Sequence, residues 1–169
     1  KFFNFVKKYP LFKNFYYFYN IYFRNYKFLK NGSQFGEDKF ILSFFKKNYK
    51  GRFVDIGCFH PTRHNNTYSM YKQGWGGINI DLNPLTIELF NFFRNKDINI
   101  NAAISDVEEV KTMYFIDELN TQNTLETNHL SFLKNHHGVK DEEISIREIK
   151  TKRLDLILDE YNFYNIDFM

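Results

Sequence analysis

The run Phe53-Val-Asp-Ile-Gly-Cys-Phe-His-Pro61 sets an acid and a glycine directly behind short apolar stretches. In open α/β sheets ligands bind beyond the carboxyl ends of the strands, and a glycine there lets the backbone approach a ligand closely. Asp55 and Gly57 stand at such an edge. A second β-prone run, Gly77-Ile-Asn-Ile-Asp81, ends in another acid 26 residues after Asp55. A carboxylate in that place can accept hydrogen bonds from both hydroxyls of a ribose. The spacing suits a nucleoside cofactor, without choosing between a dinucleotide and S-adenosylmethionine.

The glycines favour the second. A pyrophosphate seated on a helix N-terminus calls for Gly-x-Gly-x-x-Gly, whereas Gly57 is followed by Cys58, Phe59, His60 and Pro61. That crowded loop tolerates a cofactor without phosphates. The carboxylate of Asp55 or Glu37 could balance the positive charge at the methionine end of adenosylmethionine. His60 is the candidate general base, since a neutral imidazole can take a proton near pH 7. Cys58, His60 and His64 are metal-ligand types, but Pro61 breaks any shared helical face and no fourth ligand is evident, so no metal is expected. His129, His136 and His137 read as exposed residues of a polar insert, and Trp75 as core at a tight turn.

These residues need a scaffold, and the chain spells one out. Phe40, Ile41, Phe44 and Phe45 recur at helical spacing from Glu37 towards Tyr49. A strand follows over Arg52 to Ile56, then a helix from about Asn66 to Gln73 and a strand over Gly77 to Asp81. Asn83-Pro84 supplies an N-cap and a first-turn proline for a helix to about Asn95, with Leu85, Leu89, Phe92 and Phe93 inward. A third strand spans Ile98 to Ile104. Strands alternating with helices imply a parallel sheet. Thr112 to Ile116 and Ile144 to Thr151 could be antiparallel strands bracketing the polar insert, and a helix from Leu154 feeds a fourth parallel strand at Ile166. The fold class is therefore α/β, a Rossmann-like open, mainly parallel sheet flanked by helices. The chain begins at Lys1 and ends in Asn165-Ile-Asp-Phe-Met169, which reads as a strand just starting, so the sheet is expected to be incomplete at the C-terminus.

Residues 1–32 form an aromatic and basic extension. Phe15, Tyr19, Tyr22, Tyr26 and Leu29 could share one helical stripe. A helix packed on the body of its own protein is the first expectation; a membrane-surface or partner-binding helix with Lys and Arg as its polar face, or disorder, are the others.

The 169 residues suffice for one domain. With 23 Lys and Arg against 20 Asp and Glu, the charge makes no case for nucleic acid, and basic clustering is confined to residues 1–30. One cysteine excludes an internal disulfide and points to a reducing compartment. With no long apolar run, a cytoplasmic protein is expected, with peripheral membrane contact through residues 1–30 as an open alternative.

Gly51 to Arg63, Asn66-Thr-Tyr, Gly74-Trp-Gly-Gly-Ile-Asn-Ile-Asp81 and Asn83-Pro84 together resemble the first half of FkbM-family methyltransferases. So do Ser33-Gln-Phe-Gly-Glu-Asp38, Asn101-Ala-Ala-Ile-Ser105, Arg153-Leu-Asp-Leu-Ile-Leu158 and Ile166-Asp-Phe168, so the resemblance runs in order over residues 33–169. It implies an S-adenosylmethionine-dependent methyltransferase domain acting on a small-molecule or glycan hydroxyl. It also implies that Asp55 and Gly57 line the methionine side of the cofactor, that Asp81 binds the ribose, that the Ser105-Asp106 loop lies near the adenine, and that Glu37 is a further contact. Family members continue past Ile-Asp-Phe into an Asp-x-Glu-Gly segment, where groups facing the acceptor are expected. Two other readings stay open: a binding module without catalysis, and an NAD-dependent oxidoreductase.

Overall fold

The computed structural model describes residues 9–30, 32–116 and 123–169. In chain order the helices are α1 (Pro10–Phe18), α2 (Glu37–Leu42), α3 (Tyr68–Lys72), α4 (Pro84–Phe93), α5 (Thr127–His137) and α6 (Leu154–Glu160). The strands are β1 (Arg52–Ile56), β2 (Gly76–Asp81), β3 (Ile98–Asn101), β4 (Ala103–Ile104), β5 (Val110–Phe115) and β6 (Ser145–Lys152).

β1, β2 and β3 form a parallel sheet in that order, with Val54 opposite Ile78 and Ile78 opposite Ile98. Successive side chains of a strand point to opposite faces, and here both faces are covered, which is why the strands read as nearly continuous apolar runs. On one face Val54, Ile78, Ile80 and Ile100 pack with Ile157 of α6 and with Phe163. Phe53 packs with Met70 and Trp75. β2 approaches so closely there that a Cβ on Gly77 would stand 2.1 Å from the Phe53 ring, so glycine alone fits.

The expected fourth strand appears as a parallel bridge from Phe168 to Phe53, on the side of β1 away from β2. Val54 N donates to Phe168 O (2.9 Å), Asp167 N to Arg52 O (2.9 Å), and Arg52 N to the Asp167 carboxylate (2.8 Å). The chain thus runs outward from β1 to β3 and returns to the other flank of β1. In open α/β sheets the crevice at such a reversal is where ligands bind.

A second sheet orders its strands β4-β6-β5, with β5 and β6 antiparallel as the sequence suggests. The continuous strand expected over Ile98 to Ile104 is broken at Ala102, whose N–H donates to Asp81 O (3.1 Å). Beyond the break β4 pairs with β6 instead of β2. α2 stops at Leu42 rather than near Tyr49, because Phe40 and Phe44 find no cover and stay exposed while Ile41, Leu42 and Phe45 turn to Trp75.

At the N-terminus α1 packs on α4, with Tyr17 and Ile21 buried against Leu85 and Leu89. Lys13 pairs with Glu88 (3.3 Å), to which Tyr17 OH also donates. α1 thus packs on the body, but the expected stripe is divided: Phe15, Tyr19 and Tyr26 face outward, while the Tyr22 ring lies 5.8 Å from that of Phe93 and Leu29 packs against the Tyr17 cluster. Tyr19–Arg24 is a π-helical segment, whose i→i+5 bonding shifts the phase of the helix, a change that sequence periodicity does not display. Among the described residues no helix is long and apolar enough to cross a membrane.

Candidate functional site

Asp55 lies one residue before the end of β1, at the carboxyl edge of the sheet. Its carboxylate accepts hydrogen bonds from Asn65 Nδ2 (3.0 Å) and Thr67 Oγ1 (2.7 Å). Two residues on, Gly57 N and Cys58 N both donate to Ile80 O (2.9 and 3.2 Å), strapping the loop across β2. Gly57 is left-handed (φ +74°), and nothing lies within 4 Å of where a Cβ would stand. Glycine is favoured here by backbone conformation, and its bare surface faces open space. A cavity of about 380 Å³ opens beside it, bounded by Asp55, Gly57, His64, Asn65, Thr67 and Phe168.

Asp81 ends β2. Its Oδ2 accepts from Phe59 N (2.9 Å) and its Oδ1 from Asn83 N (2.8 Å), so each oxygen keeps one lone pair for a further donor. Burial raises its pKa; the two N–H bonds pull the other way and the Asp55 charge adds to the rise. Asn83 also caps α4 by accepting from Leu85 N (3.0 Å), as its position predicts. A second cavity, about 230 Å³, is lined by Gly57, Phe59, Asp81, Leu82, Asn83 and Thr86. Gly57 borders both spaces, so the two acids flank one glycine-floored crevice. A larger cleft of about 510 Å³ lies between Lys50 and Trp75 at the opposite, amino-terminal edge of β1 and β2, away from the crevice in which ligands of such sheets bind.

The loop that holds Asp55 is itself held by Arg94, which sequence reasoning passed over. This side chain is fully buried just past α4. Nε and Nη2 donate to Pro61 O (3.0 and 2.6 Å), Nη2 to Asn65 Oδ1 (2.6 Å) and Nη1 to Thr67 Oγ1 (2.9 Å). The guanidinium also lies 5.0 Å from the ring centre of Phe90 and 5.2 Å from that of Tyr71. Burial lowers its pKa, and the charges of Asp55 and Asp97 oppose that. A signal was present in β2: Asn79, fully buried between two isoleucines, needs polar partners, and it donates to Asp97 (3.1 Å) and Asn99 (2.9 Å).

His60 is not placed to serve as a base. Its ring is buried, and Nδ1 accepts backbone N–H bonds from Thr62 (3.2 Å) and Arg63 (3.1 Å). Burial, with the charges of Arg63 and Arg94, pushes its pKa down to about 3. The unfolded chain binds a proton near pH 6.5 that the folded chain refuses, so this histidine's contribution to stability is complete above pH 6.5 and is lost as pH falls from there towards 3. Urea unfolding is expected to show about 2 kcal/mol less stability at pH 5 than at pH 7 from this group. In His60→Asn that part of the slope should vanish; an unchanged slope would assign it elsewhere.

The remaining expected residues lie apart from the crevice. Glu37 sits at the exposed start of α2, where its carboxylate accepts from Phe35 N (2.7 Å), and local backbone hydrogen bonds lower its pKa. Its neighbour Asp38 is the anchored acid of that motif: burial raises its pKa, but bonds from Ser33 and Ser69 outweigh this. Asp106 lies on an exposed turn after β4, with Ser105 Oγ donating to it (3.2 Å), and lines neither cavity of the crevice. Asp55, Gly57 and Asp81 are brought together; Glu37 and Asp106 are not.

A protein-family model described as the methyltransferase FkbM domain matches residues 32–169. No curated protein and no solved structure matches the chain.

Proposed function

The chain belongs to the FkbM methyltransferase family, and on that premise we propose that it is an S-adenosylmethionine-dependent enzyme that methylates an oxygen of a small molecule or glycan. The observation that carries this reading is the crevice: one bare glycine between two carboxylates, at the point where the strand order reverses. The bound cofactor would supply a methyl group made electrophilic by a sulfonium.

The residues present fit that group. Asp81 keeps two lone pairs for the ribose hydroxyls, and its own two backbone donors hold it in place. Gly57 admits close backbone approach where a side chain would intrude. Asp55, fixed by Asn65 and Thr67, sets a negative charge in the cavity bounded by Phe168, suited to the charged methionine end. The chain's part in transfer would be alignment and exclusion of water, which suffice for a good nucleophile held in line. Glu37 and Asp106 would reach the cofactor only if their segments closed on it. The single cysteine, buried with its thiol pKa pushed well up by burial, suits a reducing cytoplasm.

Calorimetric titration with S-adenosylhomocysteine and, separately, with NAD tests the reading. Saturable heat at one site with the first and none with the second is expected. Binding of NAD alone would make the chain a dinucleotide protein, and binding of neither would leave it without the proposed cofactor.

A further inference from the structure

The outward face of the N-terminal helix has no use in the crevice. Leu11 stands beside Phe12, from which Phe15, Tyr19, Phe23 and Tyr26 follow at steps of three or four along α1, its π-helical continuation and the 3-10 turn after it. They are exposed by 84, 58, 68, 49, 62 and 69 %. Tyr17 and Ile21 on the opposite face already satisfy the packing on α4, so this stripe contributes nothing to the described core. Large contiguous apolar surface in water marks an interaction site.

The charge around it selects the partner. Residues 1–36 contain seven Lys and Arg and no Asp or Glu, so the remaining 133 residues hold 16 basic and all 20 acidic side chains. Arg24, Lys27 and Lys30 are exposed beyond the stripe. A second copy meeting this face symmetrically would set like charges against each other, which is costly. Aromatic rings interleaved with Lys and Arg suit the boundary between headgroups and acyl chains: phenyl rings insert, tyrosine hydroxyls stay wet, and the cations meet anionic lipid.

We propose that the Leu11 to Tyr26 face docks the protein on an anionic lipid bilayer. The helix lies in the plane of the interface, leaving the crevice at the β1 and β2 edge to the body of the chain. The proposal does not rest on the methyltransferase reading, because this face precedes the matched residues 32–169.

Sedimentation with phosphatidylcholine vesicles, with and without phosphatidylglycerol, tests it on the whole chain. The protein should pellet with the anionic vesicles, remain largely in solution with the neutral ones, and be released by high salt. Arg24→Gln with Lys27→Gln should weaken binding about fivefold per charge removed. Phe12→Ser, Phe15→Ser and Phe23→Ser together should abolish pelleting with an unchanged melting temperature, since all three are exposed. The proposal is overturned if anionic vesicles leave the protein in solution, if the triple variant pellets like the parent, or if the parent is a dimer that the triple variant dissociates.

Discussion

Asp81→Asn is expected to weaken S-adenosylhomocysteine binding about 100-fold or more. A hydrogen bond to a charged group is worth roughly 1.5–3 kcal/mol, and two ribose hydroxyls on one carboxylate therefore represent about 3 kcal/mol or more. The amide keeps the size of the acid and can still accept from Phe59 N or Asn83 N, which bond the carboxylate at 2.9 and 2.8 Å. The fold should survive, with a loss of about 1–3 kcal/mol from the donor left unpaired. Because burial raises the pKa of Asp81, affinity in the parent should decline with acidification at a higher pH than an ordinary aspartate would impose. Titration calorimetry on parent and variant decides the matter. A loss under about threefold would take the ribose away from Asp81.

Arg94→Met should be the most damaging single substitution, lowering stability by roughly 3–5 kcal/mol. Methionine can fill much of the space, but Pro61 O and Asn65 Oδ1 lose donors at 2.6 Å and Thr67 loses one at 2.9 Å. Since Asn65 and Thr67 hold Asp55, the effect should extend to the ligand. Arg94→Lys separates the two consequences. It keeps a charge in the same place, yet one ammonium cannot reproduce the planar fork that reaches Pro61 O, Asn65 Oδ1, Thr67 Oγ1 and Asn79 Oδ1. That variant should fold and bind S-adenosylhomocysteine about tenfold more weakly, the equivalent of ~1.4 kcal/mol in Asp55 placement. Chemical denaturation of both variants, with calorimetry on the lysine form, makes the check. A methionine variant as stable as the parent would show that the guanidinium is dispensable.

What was legible in the sequence follows from which forces are local. β1 and β2 announce themselves because a strand covered on both faces must be apolar along its length, and the acids and glycine at their ends interrupt that pattern where solvent and ligand begin. The cap at Asn83 is legible for the same reason, as one side chain bonding a backbone N–H two residues on. Arg94 was not, because a cation at the end of a helix ordinarily meets water and the helix dipole, and buried Asn79 calls for polar partners without naming the guanidinium 3.5 Å from its Oδ1. His60 looked chemical because its type is chemical; only the fold shows its ring buried, with Asn25 Nδ2, from 35 residues away, 3.4 Å from Nε2. The outward turn of Phe15, Tyr19 and Tyr26 was hidden for a third reason. Aromatic residues occupy both faces of that helix, so periodicity locates a stripe without saying which stripe is inside.

The Phe53 to Phe168 bridge bears on when the crevice comes into being. β1 meets β2 across 24 residues, as Val54 opposite Ile78 shows, but it meets Phe168 across 115. Closing a loop about fivefold longer costs roughly 1.4 kcal/mol more in chain entropy, and on a ribosome those residues also emerge later. The wall that Phe168 gives the Asp55 cavity is thus built after the pairing of β1 with β2. A nascent chain can pair β1 with β2 while still tethered, but the cavity beside Asp55 closes only once Phe168 is free to dock.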